Sequence, residues 1–100
     1  MPKLVRDLIP ELTRNEGGSP KVRVLHNNKE YLRALQEKLL EEVKEYMVCG
    51  ALEELADVVE VVEALQEHVH AMYGGKVDRL RSMKREKKGG FVSRQYLLEP

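Results

Sequence analysis

The sequence predicts a mainly α protein, an antiparallel helical hairpin flanked by short extended segments. Three observations carry that expectation. Apolar residues recur at helical spacing through two long stretches, a single Gly50 separates those stretches, and glycine pairs stand at Gly17-Gly18, Gly74-Gly75 and Gly89-Gly90, where helices would end.

Taken in order, Pro10 to Glu16 reads as a short helical turn, because Pro is tolerated at a first helical position and Gly17-Gly18 supplies the left-handed conformations that end helices. Lys21 to Leu25 alternates between Pro20 and Asn27-Asn28, which suits a short, half-buried extended segment. Asn27 or Asn28 then caps a helix expected from Lys29 to Cys49, with Tyr31, Leu32, Leu35, Leu39, Val43 and Tyr46 on one stripe. Gly50 stops it. A second helix is expected from Leu52 to Met72, with Leu55, Val58, Val59, Val62, Leu65, Val69 and Met72 facing inward. So short a connection makes the two helices antiparallel neighbours. Lys76 to Lys88 reads as a basic helix ended by Gly89-Gly90, and Phe91 to Leu98 as a weak strand expected to pair with Lys21 to Leu25.

One hundred residues, 34% charged and 42% hydrophobic, describe one domain spanning 1–100, since chains divide only well beyond this length. A chain of this size buries roughly two-thirds of its unfolded surface, so an oligomer that completes the bundle is expected. Seventeen basic and seventeen acidic residues cancel, which leaves no global field to draw the molecule to nucleic acid or anionic lipid. The single Cys49 excludes an internal disulfide and a multi-cysteine zinc site within one chain. No stretch approaches the roughly 18 apolar residues of a membrane span, and the N-terminus lacks the apolar core of a secretion signal. The expected location is therefore the cytoplasm, with no membrane partner.

Charge is nonetheless uneven along the chain. Ten acids face two lysines between Glu37 and Glu67, whereas eight bases face two acids between Lys76 and Arg94. One segment suits cations and the other anions. On a helical wheel of about 100° per residue, Glu53, Glu60, Glu63 and Glu67 fall opposite the apolar stripe, where a solvated face explains them. Glu42 and Glu45 instead lie about 60° and 120° from Leu39 on one side, while Glu41 points nearly backwards. Glu54 falls inside the broad apolar arc of the second helix, between Val61 and Leu65, and Asp57 sits just beyond its edge.

An ionised carboxylate beside a core is costly unless something compensates it. Each pair is three residues apart and so projects from one side of its helix, and across a tight hairpin Glu42, Glu45, Glu54 and Asp57 can converge. With no His or Cys suitably placed, the result is a hard oxygen cage of the kind that suits Mg²⁺ or Mn²⁺. Pairing of these acids with Lys and Arg along the helix faces is the plainer alternative.

These residues resemble a known pattern. Glu41-Glu42-Val43-Lys44-Glu45 followed by Glu54-Leu55-Ala56-Asp57 resembles the E-E-x-x-E and E-x-x-D signature of the MazG-type all-α nucleoside triphosphate pyrophosphohydrolases, which include phosphoribosyl-ATP pyrophosphohydrolase. Lys3-Leu4-Val5-Arg6-Asp7-Leu8-Ile9-Pro10 and Lys87-Lys88-Gly89-Gly90-Phe91 are similar to segments of small stand-alone members, so the resemblance spans most of the chain. It implies a helical bundle of that type, assembled as dimers or tetramers, and a hydrolase that splits a nucleoside triphosphate between its α and β phosphates. The substrate would be phosphoribosyl-ATP or a damaged or non-standard nucleotide. Glu42, Glu45, Glu54 and Asp57 would hold Mg²⁺, with Mn²⁺ as a substitute, and Glu41 or Glu42 would accept the proton of the attacking water or, for Glu41, bind a second metal. Lys84, Lys87, Lys88 and Arg94, together with Lys3 and Arg6, would hold the β and γ phosphates.

Two rival classes remain. A di-iron bundle needs paired E-x-x-H motifs, and only Glu67 and His70 provide one. A non-catalytic helical dimerisation module would use the basic segment from Lys76 to Lys88 on phosphate or nucleic acid. Only Tyr73 and Phe91 flank that segment for stacking, so no stable nucleic-acid partner is expected.

Overall fold

The computed structural model describes residues 2–99. Four helices form among them: α1 (Ile9–Asn15), α2 (Asn28–Cys49), α3 (Leu52–Tyr73) and α4 (Lys76–Lys88). The chain packs as two compact units, residues 1–68 and 69–100, with the last turn of α3 in the second.

In the first unit, local chemistry sets each helix end. Pro10 lies in the first turn of α1, where its missing N–H costs nothing. The side chain of Asn27, whose backbone is extended, accepts the Glu30 N–H at 3.1 Å and so caps α2. Arg23 pairs with Glu30 and ties the incoming segment to that first turn. At the other end, Gly50 takes a left-handed conformation (φ 65°) and donates to the Tyr46 carbonyl at 2.7 Å, which closes α2 and lets α3 begin at Leu52. The Tyr31 ring, early in α2, meets the His68 ring, late in α3, edge to face at 5.0 Å. The two helices therefore run back along each other.

Leu35 and Val61 are the buried apolar residues of the described chain, bordered by half-buried Tyr31, Leu39, Tyr46, Val58 and Leu65. Several expected core positions are outside it. Val43, Leu55, Val59, Val62 and Met72 are all exposed, because the apolar arcs of α2 and α3 are wider than the strip that two helices can cover between them.

The expected strands are also corrected. Neither Lys21 to Leu25 nor Phe91 to Leu98 forms a strand, so the expected ladder is absent. Alternation across so few residues is weak, Val22 and Val24 are both exposed, and a strand without a partner leaves its backbone to water. The second unit consists of the end of α3, α4 and the residues beyond. Gly74 (φ 72°) donates to the His70 carbonyl and ends α3, Gly89 (φ 83°) donates to the Arg85 carbonyl and ends α4, and residues 76 to 99 are exposed throughout. Among the described residues, no helix is long and apolar enough to cross a membrane.

Candidate functional site

The hairpin has two sides, and the acids gather on one of them. Residues 4–12 run over that side and enclose a cleft of about 580 Å³, walled by Tyr31, Leu35, Lys38 and Glu42 from α2 and by Asp57, Glu60, Val61, Ala64 and Glu67 from α3. Glu42 is the buried carboxylate of this wall, with a side chain 8% exposed. Its Oε1 pairs with Lys38 Nζ at 3.1 Å, while its Oε2 is buried without a hydrogen-bond partner. A buried acceptor left unmet is costly, and it marks a place where a donor or cation would be gained.

Lys38 did not emerge from the sequence as a site residue. Burial alone would depress its ammonium, but the hydrogen bond to Glu42 and the charges of Glu41 and Glu42 outweigh burial and raise it. Its position one turn before Glu42 was the available signal. Glu41, expected to point away from the core, is half-buried and held by Lys3 Nζ at 3.6 Å and by Lys38 Nζ at 3.5 Å. The N-terminal segment turns that flank of α2 inward, which a wheel drawn for the hairpin alone cannot represent.

Glu45 is exposed, and its carboxyl is raised above the ordinary range, first by the charge of Glu42, then by desolvation and by Glu41. Glu54 is half-buried, as its place in the apolar arc predicts. It stands near Cys49 across the turn, where desolvation and then the Glu54 carboxylate push the thiol up, so this cysteine is a poor nucleophile. Asp57 is half-buried and accepts from Arg6 Nη2 at 2.7 Å.

Lys3 and Arg6 thus reach the acidic side of the hairpin, each holding a carboxylate. Lys84, Lys87, Lys88 and Arg94 lie in the second unit, all exposed. The Gly89 amide is committed to the Arg85 carbonyl at 2.8 Å. Arg94 has a left-handed backbone (φ 60°) and donates its N–H to the Phe91 carbonyl.

The donor set is all oxygen, which is the chemistry Mg²⁺ and Mn²⁺ require, and Glu42 Oε2 is free to serve. Yet no group of three His, Cys, Asp or Glu side chains placed to hold a metal ion forms among the described residues. The residues therefore fit a divalent cation in kind, and gathering them requires Arg6 to release Asp57. No family model matches the sequence, and no curated protein or solved structure shows significant similarity to it.

Proposed function

We propose that the protein is a Mg²⁺-dependent nucleoside triphosphate pyrophosphohydrolase of MazG type, acting on a phosphoribosyl-ATP-like or non-standard nucleotide. The observation that carries this reading is the unpartnered Glu42 Oε2, buried in the wall of an open cleft with Glu41 and Glu45 crowded beside it. Structural ion pairs account for Glu41, Glu42 Oε1 and Asp57 and leave that oxygen unmet.

In this reading Glu42, Glu45, Glu54 and Asp57 hold the cation, which when bound neutralises phosphate charge and acidifies water. The reaction adds water across the bond between the α phosphorus and its bridging oxygen, releasing nucleoside monophosphate and pyrophosphate. Glu41 or Glu42 accepts the proton. Lys3 and Arg6, displaced from Glu41 and Asp57, turn to the β and γ phosphates. The active form is a cytoplasmic homo-oligomer, a dimer or tetramer.

One observation favours a second reading, that of a non-catalytic helical module with a basic, phosphate-contacting helix: Glu41, Glu42 and Asp57 all carry Lys or Arg partners. The test separates the two. Purified protein is incubated with ordinary and modified nucleoside triphosphates and phosphoribosyl-ATP in Mg²⁺ or Mn²⁺, and pyrophosphate is resolved from orthophosphate. Monophosphate plus pyrophosphate, lost on chelation and in Glu54→Gln and Asp57→Asn variants that remain folded, supports the hydrolase. A protein that neither binds Mn²⁺ nor turns over any nucleotide is the helical module.

A further inference from the structure

The cleft extends well past the acids at its turn end. Tyr31 meets His68 across the hairpin, so the antiparallel register sets Leu35 opposite Ala64 and Glu42 opposite Asp57. The walls therefore change along the trough. Glu42, Asp57 and the Arg6 that holds Asp57 stand at the end nearer Gly50, and Tyr31, Leu35, Ala64 and Glu67 stand at the far end. Glu60 and Glu67, which a helical wheel gives to solvent, line the rim of this cleft, because residues 4–12 fold over the flank of α3 that carries them. At about 1.5 Å per residue, Glu60 lies about 4.5 Å and Glu67 about 15 Å beyond Asp57 along the helix axis.

The far end suits a flat group that brings its own donors. Ala64 is the one small side chain among the helix residues of the wall, so it opens a slot opposite Leu35. The Tyr31 ring stands beside that slot, fixed in place by its edge-to-face contact with His68 at 5.0 Å. An apolar slot with an aromatic side is a setting in which a planar ring is desolvated, and about 580 Å³ is the volume of a small-molecule site. The polar chemistry there is one-sided. An ionised Glu67 can only accept hydrogen bonds, and neither it nor Glu60 has an ion-pair or hydrogen-bond partner among the described residues. The cations of the wall, Arg6 and Lys38, are already held by Asp57 and by Glu41 and Glu42. Glu42 Oε2, buried in the same wall without a partner, shows the same shortage of donors at the other end. A carboxylate takes two parallel N–H donors at once. Among the nucleobases guanine offers such a pair, its ring N1–H and 2-amino group side by side, whereas hypoxanthine lacks the amine and adenine lacks the ring N–H.

We propose that the far end of the cleft takes the base of a guanine-type ribonucleotide, with Glu67 accepting from N1–H and the 2-amino group and Glu60 accepting from the ribose hydroxyls. The order Asp57, Glu60, Glu67 along α3 is the order in which a nucleotide presents phosphate, sugar and base. The assignment rests on the nucleotide reading of the site and narrows its substrate to guanine-type bases, ordinary or modified elsewhere on the ring, and away from phosphoribosyl-ATP, whose adenine carries no N1–H. A site built around such donors rejects the analogue that lacks one, because its carboxylate is then left unmet.

The test is titration calorimetry of the full chain with nucleoside monophosphates in EDTA, so that neither metal nor hydrolysis enters. Guanosine monophosphate should bind about tenfold or more tightly than inosine monophosphate, which lacks only the 2-amino group, since that is the scale on which a bidentate base contact discriminates. It should also bind more tightly than its 2′-deoxy form. Glu67→Gln should bring the first ratio to about threefold or less and leave the second as it was, whereas Glu60→Gln should erase the second and leave the first. Both side chains are exposed, so circular dichroism should find each variant folded like wild type, and if one is not, the wild-type ratios decide. Absence of either preference in the wild type, no binding at millimolar concentration, or a guanine preference that survives Glu67→Gln each overturns the proposal. The expected ratios in a protein that hydrolyses no triphosphate keep the base site and lose the hydrolase, whereas triphosphate hydrolysis without base preference in the titration loses the base site alone.

Discussion

Arg6 and Lys3 carry more of the site than their distance in sequence suggests, because they neutralise Asp57 and Glu41 while no cation is bound. The Arg6 pair is partly exposed, so its strength is that of a surface ion pair, at most about 1 kcal/mol. Replacing Arg6 with Ala should then raise Mn²⁺ affinity of the nucleotide-free protein by up to about fivefold, since Asp57 no longer has to be released, while weakening nucleotide binding. Titration calorimetry with Mn²⁺ checks this, and an affinity unchanged or reduced would show that Arg6 does not compete for Asp57. Glu45 offers a complementary measurement. Its proton is held more tightly in the folded chain than in the unfolded one, so stability falls as pH rises from the ordinary carboxylate value through the raised one. Glu45→Gln should therefore melt higher than wild type at pH 7 in EDTA, with the difference shrinking towards pH 4. A variant that melts lower at pH 7 would mean that the repulsion from Glu42 and Glu41 is relieved in some other way.

The helices owe their ends to single residues, and the turn between α2 and α3 is where one change costs most for its size. A Cβ at Gly50 would meet no atom within 4 Å, so the penalty of Gly50→Ala comes from the backbone alone, at φ 65°. Forcing an L-residue into that conformation costs about 1 kcal/mol, which lowers the melting temperature by roughly 4–8 °C in a domain of this size. A thermal melt followed by circular dichroism measures it, and a drop well beyond that range would implicate the neighbouring Glu54 and Cys49 as well. α2 and α3 were legible because each had both a period and a stop, with Asn27 and Gly50 bracketing α2 and Gly74 ending α3, whereas α1 was read from Pro10 and its glycine stop and α4 from its basic run and the stop at Gly89. The strands failed because alternation over five to eight residues supplies a period without a partner.

At the scale of the molecule, binding and stability are linked. An ion that binds the folded chain and not the unfolded one adds about 2.7 kcal/mol at a hundred times its dissociation constant. Saturating Mn²⁺ should accordingly raise the melting temperature by about 10 °C or more, reversed by chelation and absent in Asp57→Asn. A melt indifferent to Mn²⁺ would return the carboxylates to their Lys and Arg partners for good. What the amino-acid order determined by itself is the part written in local rules: helix type, caps and stops, and the placing of Glu42 and Glu54 beside apolar stripes, since spacing along one helix specifies direction. What only the tertiary structure decided is who meets whom. The burial of Lys38 with Glu42, the inward role of Glu41 and the claim of Arg6 on Asp57 all depend on how residues 4–12 lie across two packed helices. A wheel contains one helix and no neighbour, so contacts made across long separations in sequence are invisible to it.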